Sequence, residues 1–380
     1  MVRAPIMILG ALMMVLLAFT SIELTLYFLI LSTLLSPELT FGGASEAQVA
    51  SGAVNTTESR GVTLRLDDIL LALVCLTWVF RMAILKELGM VRRTPINQPI
   101  AWYWLTALFA TLIGLFAGRL GAYGFFFVIK YLEFFVLFYM IINHLHDQDT
   151  IKRYLFIMVM TCVFASLAGI AQIPSGARVS APFEGELGEP NTFGGYLVLM
   201  FSVVLGIFLH TVKGRRWYFL LLAMGIIIIP FIFTESRSSY LSFAVVILFF
   251  LFISENKRLL IVACLLGAVL LPFVLPQSVI NRVMFTFNQA EQGGQLAVGG
   301  VKIDTSTTER LRSWERVLTE YFPKHPILGV GVTGGPFLDA QYPRVLLETG
   351  MIGLVFFYLV FTASMGVVTA VLSRNKRSYP

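Results

Sequence analysis

Thr307-Thr-Glu-Arg-Leu-Arg-Ser-Trp314 and, further on, His325-Pro-Ile-Leu-Gly-Val-Gly331 lie in a polar segment, roughly Gln277 to Arg344, of a chain that is otherwise almost entirely apolar. The segment closes with Asp339-Ala-Gln-Tyr-Pro-Arg344 and runs on into Glu348-Thr-Gly-Met-Ile-Gly353. A polar, arginine-bearing loop among lipid-soluble helices is where a membrane enzyme would hold a water-soluble headgroup. The reading of the whole chain turns on this loop.

Outward from it, the 380 residues are 57% hydrophobic and only 13% charged, with a mean hydropathy of +0.81. A soluble domain cannot hide that much apolar surface, so the class is a polytopic, all-α membrane protein. Cys75, Cys162 and Cys264 sit inside apolar stretches and read as small hydrophobes, not as a disulfide framework. Four scattered histidines do not make a metal cluster, and neither a metal nor another cofactor is expected. The net charge of +6 is dispersed between apolar segments, which argues against a nucleic-acid partner.

A span needs about 20 mostly apolar residues. That rule predicts about ten transmembrane helices, near 5–36, 66–83, 99–117, 122–143, 151–173, 191–211, 216–233, 239–254, 258–275 and 345–373. The apolar start runs well beyond the h-region of a signal peptide, so it is read as a span. Cations at Arg3, Lys86, Arg92, Arg93, Lys152, Arg153, Lys213, Arg215, Arg216, Lys257, Arg258, Arg374, Lys376 and Arg377 all fall on one side of this arrangement. That side is cytoplasmic by the positive-inside rule, and holds both termini. Three regions result: helices over 1–275, an extracytoplasmic loop over 276–344, and a last helix with a basic tail over 345–380. Within the loop, Leu311, Trp314, Leu318 and Tyr321 recur at helical spacing behind Thr305, Ser306 and Thr307. They predict an amphipathic helix on the membrane or over a cavity, and Val279 to Phe287 predicts a second.

Several outer residues suit a phosphorylated ligand. In Thr234-Glu-Ser-Arg-Ser-Ser-Tyr240, Arg237 and three serines open a helix, where free N–H groups, the helix dipole and a guanidinium converge. The same residues read equally as a helix cap and an arginine reaching lipid headgroups. Arg310, Arg312, Arg316 and Arg344 form a second pool, with Arg119 and Arg178 weaker. Asp339 is a candidate general base before the last helix, or equally a cap for the turn. Lys130, Glu133 and Glu23 are charges within spans, and Lys130 with Glu133 would pair at three residues' separation. His325 reads as part of a structural turn.

Taken in order, Glu189-Pro-Asn-Thr-Phe-Gly-Gly195, Ser236-Arg237, Arg310 with Trp314, His325-Pro with Gly329-Val-Gly331, and Glu348-x-Gly350-x-x-Gly353 resemble the O-antigen ligase and O-antigen polymerase superfamily. These are bacterial envelope glycosyltransferases of the C-type membrane architecture. The resemblance covers roughly Gly188 to Gly353 and implies an undecaprenyl-diphosphate-linked oligosaccharide as donor, used outside the cytoplasmic membrane. It implies that Arg237 and Arg310 grip the diphosphate without a metal; Arg344, at the outer mouth of the last helix, would assist. Glu184, Glu186, Asn191 and Trp314 would face the sugars, and Asp339 would be the catalytic base. Ligase-type members commonly carry a histidine nine residues before the glutamate of the closing motif; here that position is Asp339, followed by Ala340. This departure favours a polysaccharide polymerase over a ligase acting on a lipid core or protein. A lipid-glycan transporter and a non-catalytic assembly subunit are the other readings. Membrane lipid, a chain-length regulator and export machinery are the partners a polymerase implies.

Overall fold

The computed structural model describes residues 16–17, 20–35, 38–41, 62–84, 92–145, 147–182, 189–254, 256–274, 276–288, 297–298, 301–302, 305–336, 338 and 340–377. In chain order these form α1 (Ile22–Leu35), β1 (Glu38–Phe41), β2 (Val62–Arg65), α2 (Leu66–Ile84), α3 (Asn97–Phe116), α4 (Gly124–His144) and α5 (Gln148–Gln172). There follow α6 (Pro190–Leu209), α7 (Arg215–Phe233), α8 (Arg237–Ile253), α9 (Lys257–Val274), α10 (Gln277–Asn288), the short strands β3 (Ala297–Val298) and β4 (Val301–Lys302), α11 (Thr305–Arg316) and α12 (Gln341–Arg377). Six helices among the described residues are long and apolar enough to cross a membrane: α3, α4, α5, α6, α7 and α12. The described parts of the remaining expected positions are also helical, as α1, α2, α8 and α9; residues 5–15 of the first lie outside the described residues. The chain departs from all-α in two small antiparallel ribbons. β1 pairs with β2, Glu38 opposite Arg65, and β3 pairs with β4. The first ribbon joins the two ends of the connection between α1 and α2, where neighbouring helix ends bring them together.

These helices carry apolar residues on every side, as an element facing both neighbours and lipid must. Two main cores result. One joins α5, α6 and α7 through Phe193, Leu197, Val204 and Ile227, with α8 packed on its edge. The other joins α1, α2, α4 and the start of α5 through Leu26, Val74, Met140 and Tyr154. The charges within spans are struts between helices. Lys130 on α4 meets Asp68 on α2 at 2.7 Å, in place of the expected partner Glu133, and Glu23 on α1 meets Arg153 on α5 at 2.9 Å. An ion pair across two helices desolvates both partners together, whereas one left single in lipid is costly.

The last helix is broken. Gly350 has φ 65°, ψ −163°, in the middle of α12. A break in lipid must have its backbone groups satisfied elsewhere. In an unbroken helix the Met351 and Ile352 N–H groups would donate to Leu347 and Glu348. Here they donate to the carbonyls of Pro326 and Ile327 at 2.9 and 3.2 Å. The carbonyls of Leu347 and Glu348 instead accept from Val330 and Gly331 N–H at 2.9 and 3.0 Å. The loop from His325 to Gly331 thus takes the place of two rungs of the helix. Close approach requires glycine on both sides. A Cβ at Gly329 would stand 2.4 Å from the Leu347 oxygen, and one at Gly350 would stand 2.3 Å from the Ile327 oxygen.

Candidate active site

Two groups of polar residues lie at the end of the bundle predicted to face outward. The first is the corner where the α5–α6 connection meets the turn between α7 and α8. Ser236 is the N-cap of α8, and its Oγ accepts from Ser239 N–H and lies 2.8 Å from Ser239 Oγ. Arg237 therefore begins α8 beside a buried serine pair, at the positive end of the helix. The turn is tight enough to hold Glu235 at φ 50°. Arg178 secures it: Nε donates to the Thr234 carbonyl at 2.9 Å, and Nη2 donates to the Glu235 carbonyl at 3.3 Å and to Asn191 Oδ1 at 3.2 Å. One planar guanidinium thus links three elements, which a lysine ammonium cannot do in the same way. Val179 N–H adds a bond to the Phe233 carbonyl at 3.0 Å. Gly194 on α6 lets the serine pair come close, since a Cβ there would lie 2.6 Å from Ser239 Oγ.

The second group lies where α3, α4 and α12 meet. Arg344 Nε donates to Glu348 Oε1 at 3.1 Å, and Tyr131 Oη donates to Glu348 Oε2 at 3.2 Å. Glu348 is buried, at 7% exposure, so these two partners are what a carboxylate in such a place needs. Below it, Val332 N–H donates to Thr111 Oγ1 at 3.1 Å and fastens the loop to α3. At the rim, Arg119 lies 3.4 Å from His325 Nδ1. Arginine has no acceptor, so Nδ1 is the unprotonated nitrogen of a neutral ring. Burial first, then the charges of Arg119 and Lys324, hold the His325 imidazole below its usual range.

Of the residues expected from sequence, Asn191 is brought to Arg178, Arg237 heads α8, and Arg344 is joined to Glu348. Arg310 lies on α11, which runs on into a π-helical turn over Val317–Tyr321. That helix is held by buried Thr308 and Val317, while Leu311, Trp314 and Leu318 face outward. Trp314 is therefore placed on an open face. Asp339, Glu184 and Glu186 lie outside the described residues. Two residues play larger parts than their sequence signals gave them. Arg178 stands in a loop with no motif around it. Glu348 belongs to a motif but carries no mark of the tyrosine and arginine that enclose it.

Comparison with known proteins adds one finding. A model of the O-antigen ligase family matches residues 222–372, from within α7 to near the end of α12. The match takes in Arg237, Arg310, the loop inserted at the helix break, and Glu348. No curated protein and no solved structure matches the chain.

Proposed function

Since residues 222–372 match a model of the O-antigen ligase family, we propose that the chain is a membrane glycosyltransferase working as a polysaccharide polymerase. In this reading it crosses the bacterial cytoplasmic membrane ten times, with both termini inside. Residues 276–344 form the outer unit between the helices of 1–275 and the last helix with its tail. The donor is an undecaprenyl-diphosphate-linked oligosaccharide. A sugar hydroxyl on a second lipid-linked unit attacks the anomeric carbon, and the bond from that carbon to the diphosphate oxygen breaks. Inline attack inverts the anomeric centre, and undecaprenyl diphosphate leaves.

The observation that supports this most is the corner at Arg237. Serine capping, the helix start and a turn fixed by Arg178 present a preorganised cation where a diphosphate would gather charge on departure. Arg310 supplies the second guanidinium and Arg344 assists. Asp339 takes the proton of the attacking hydroxyl. Asn191, held by Arg178, faces the sugar with Glu184 and Glu186, and Trp314 offers an aromatic face for stacking. A chain-length regulator and export machinery are the partners such a polymerase works with.

The family's own description favours a second reading, transfer of the finished glycan to a lipid core or a protein. One assay separates them. Purified protein is incubated with a lipid-diphosphate oligosaccharide extract from its own source, alongside Arg237→Ala. A ladder of longer lipid-linked glycans, absent in the variant, is the expected result. Transfer only when a lipid core or protein acceptor is added would make the chain a ligase. Intact donor in every reaction would refute both.

A further inference from the structure

At the opposite end of α5, α6 and α7 lies a cavity of about 790 Å³. This is within the size range of small-molecule sites. The antiparallel order of these helices separates it from Arg178 and Arg237 by a helix length, roughly 30 Å at 1.5 Å per residue. Its walls are apolar, with Phe156 on α5 and Phe219 on α7 facing one another. Its mouth is cationic, lined by Lys152, His210, Arg215 and Arg216.

The mouth is built to take an anion. Gly214 is the N-cap of α7 and gives no side-chain cap, so the first N–H groups of that helix meet the mouth with their positive end uncapped. Arg215 and Arg216 are exposed and form no ion pair among the described residues. Lys152 is the exception, since its Nζ meets Asp149 at 2.7 Å on the open surface. His210 Nδ1 donates to the Gly206 carbonyl at 2.9 Å, which leaves Nε2 as the ring nitrogen available to a ligand. No acidic side chain lines the cavity. A ligand that fits must be anionic at one end and apolar along the rest, and must enter from the bilayer.

We propose that this cavity binds one anionic glycerophospholipid, its phosphate held by Arg215, Arg216 and the start of α7, its acyl chain laid along the wall that Phe156 and Phe219 form together. By the distribution of loop cations this is the inner leaflet, where anionic headgroups and basic pockets meet. The lipid ties together the inner ends of three helices that the described side chains do not join there by ion pairs. The site is independent of the chemistry at the outer end.

The test is native mass spectrometry of the full-length detergent-purified protein with dioleoyl phosphatidylglycerol or dioleoyl phosphatidylcholine added at matched concentrations. A single phosphatidylglycerol adduct is expected, at about tenfold lower lipid concentration than the phosphatidylcholine adduct. At about fivefold per cation, Arg215→Gln with Arg216→Gln raises the half-saturating concentration about 25-fold. Lys213→Gln, an exposed cation in the same loop but outside the lining, leaves it within about twofold. Lys152→Gln, exposed and safe for folding, weakens the adduct about fivefold and keeps the test open if the double variant does not fold. Equal binding of the two lipids overturns the proposal. So does a Lys213→Gln loss as large as the double variant's, which would mean surface attraction only. Unchanged binding in both lining variants, or displacement of the lipid by millimolar inorganic phosphate, also overturns it.

Discussion

The two ends of the α5–α6–α7 bundle use arginine in opposite ways. At the end expected to face outward, Arg178 is fully engaged, fixing two turn carbonyls and Asn191 at 2.9–3.3 Å. At the inner end, Arg215 and Arg216 stand exposed around a cavity. The first arrangement creates shape, while the second leaves charge ready for something else. An arginine that positions backbone belongs with a site that must not move, and the neighbouring Arg237 is the cation proposed for that site. Arginines left open at a membrane face belong with a ligand that the bilayer supplies.

The comparison breaks first at Arg237. If the outer end is where charge develops, Arg237→Ala should lower glycan transfer about 10²- to 10³-fold, the cost of losing one preorganised charge stabiliser. Its melting temperature should stay within about 2 °C of wild type, since a half-buried, partly screened cation at a helix start adds little stability. A transfer rate within tenfold of wild type would remove Arg237 from the site. Next in size is Gly350→Ala. A Cβ 2.3 Å from the Ile327 oxygen, at a positive φ, should cost about 3 kcal/mol or more. A thermal melt lowered by several degrees, together with easier proteolysis near His325, is the readout. An unchanged melt would mean the break is not held as described.

Arg178→Ala comes third, at about 2 kcal/mol, because two turn carbonyls lose a charged donor. Arg178→Lys should recover less than half of that, as a point charge cannot span the three acceptors. Full rescue by lysine would show that charge, not shape, is what Arg178 provides.

The smallest effect concerns His325. Its imidazole is held below the usual value of 6.5, so the unfolded chain takes up the proton first as pH falls. The stability this interaction contributes is therefore complete above about pH 6.5 and declines as pH drops through the depressed folded value. The group is half-buried and still screened by solvent, so the effect is about 1–2 °C in melting temperature. His325→Gln should flatten the difference between pH 7.5 and pH 5.5. A variant melting curve with the same pH slope would assign that slope to other groups.

Much of the helix pattern was legible in the sequence, and the reason is length. Expected helices at 191–211, 216–233 and 239–254 appear as Pro190–Leu209, Arg215–Phe233 and Arg237–Ile253. A run of apolar residues bounded by proline or arginine admits little else in a bilayer. Arg237 as a helix start was legible for the same reason, because serine before a helix has a local signature. The break at Gly350 was not. The run 345–373 carries a single charge, Glu348, and reads as one span, while its interruption is dictated by a loop some twenty residues earlier. The partners of Lys130 and Arg178 were likewise set by which helices pack together, which spacing along one helix does not encode. The amphipathic stripe of α11 was found, but the residues that anchor it, Thr308 and Val317, lie on its other side.

The helix break also fixes an order of events during synthesis. The backbone N–H groups of Val330 and Gly331 have no acceptors until Leu347 and Glu348 have been made. The outer loop therefore emerges before the surface that receives it. Its bonds to the last helix close only when that helix is in place, so the join at Gly350 is among the last parts of the molecule to be assembled.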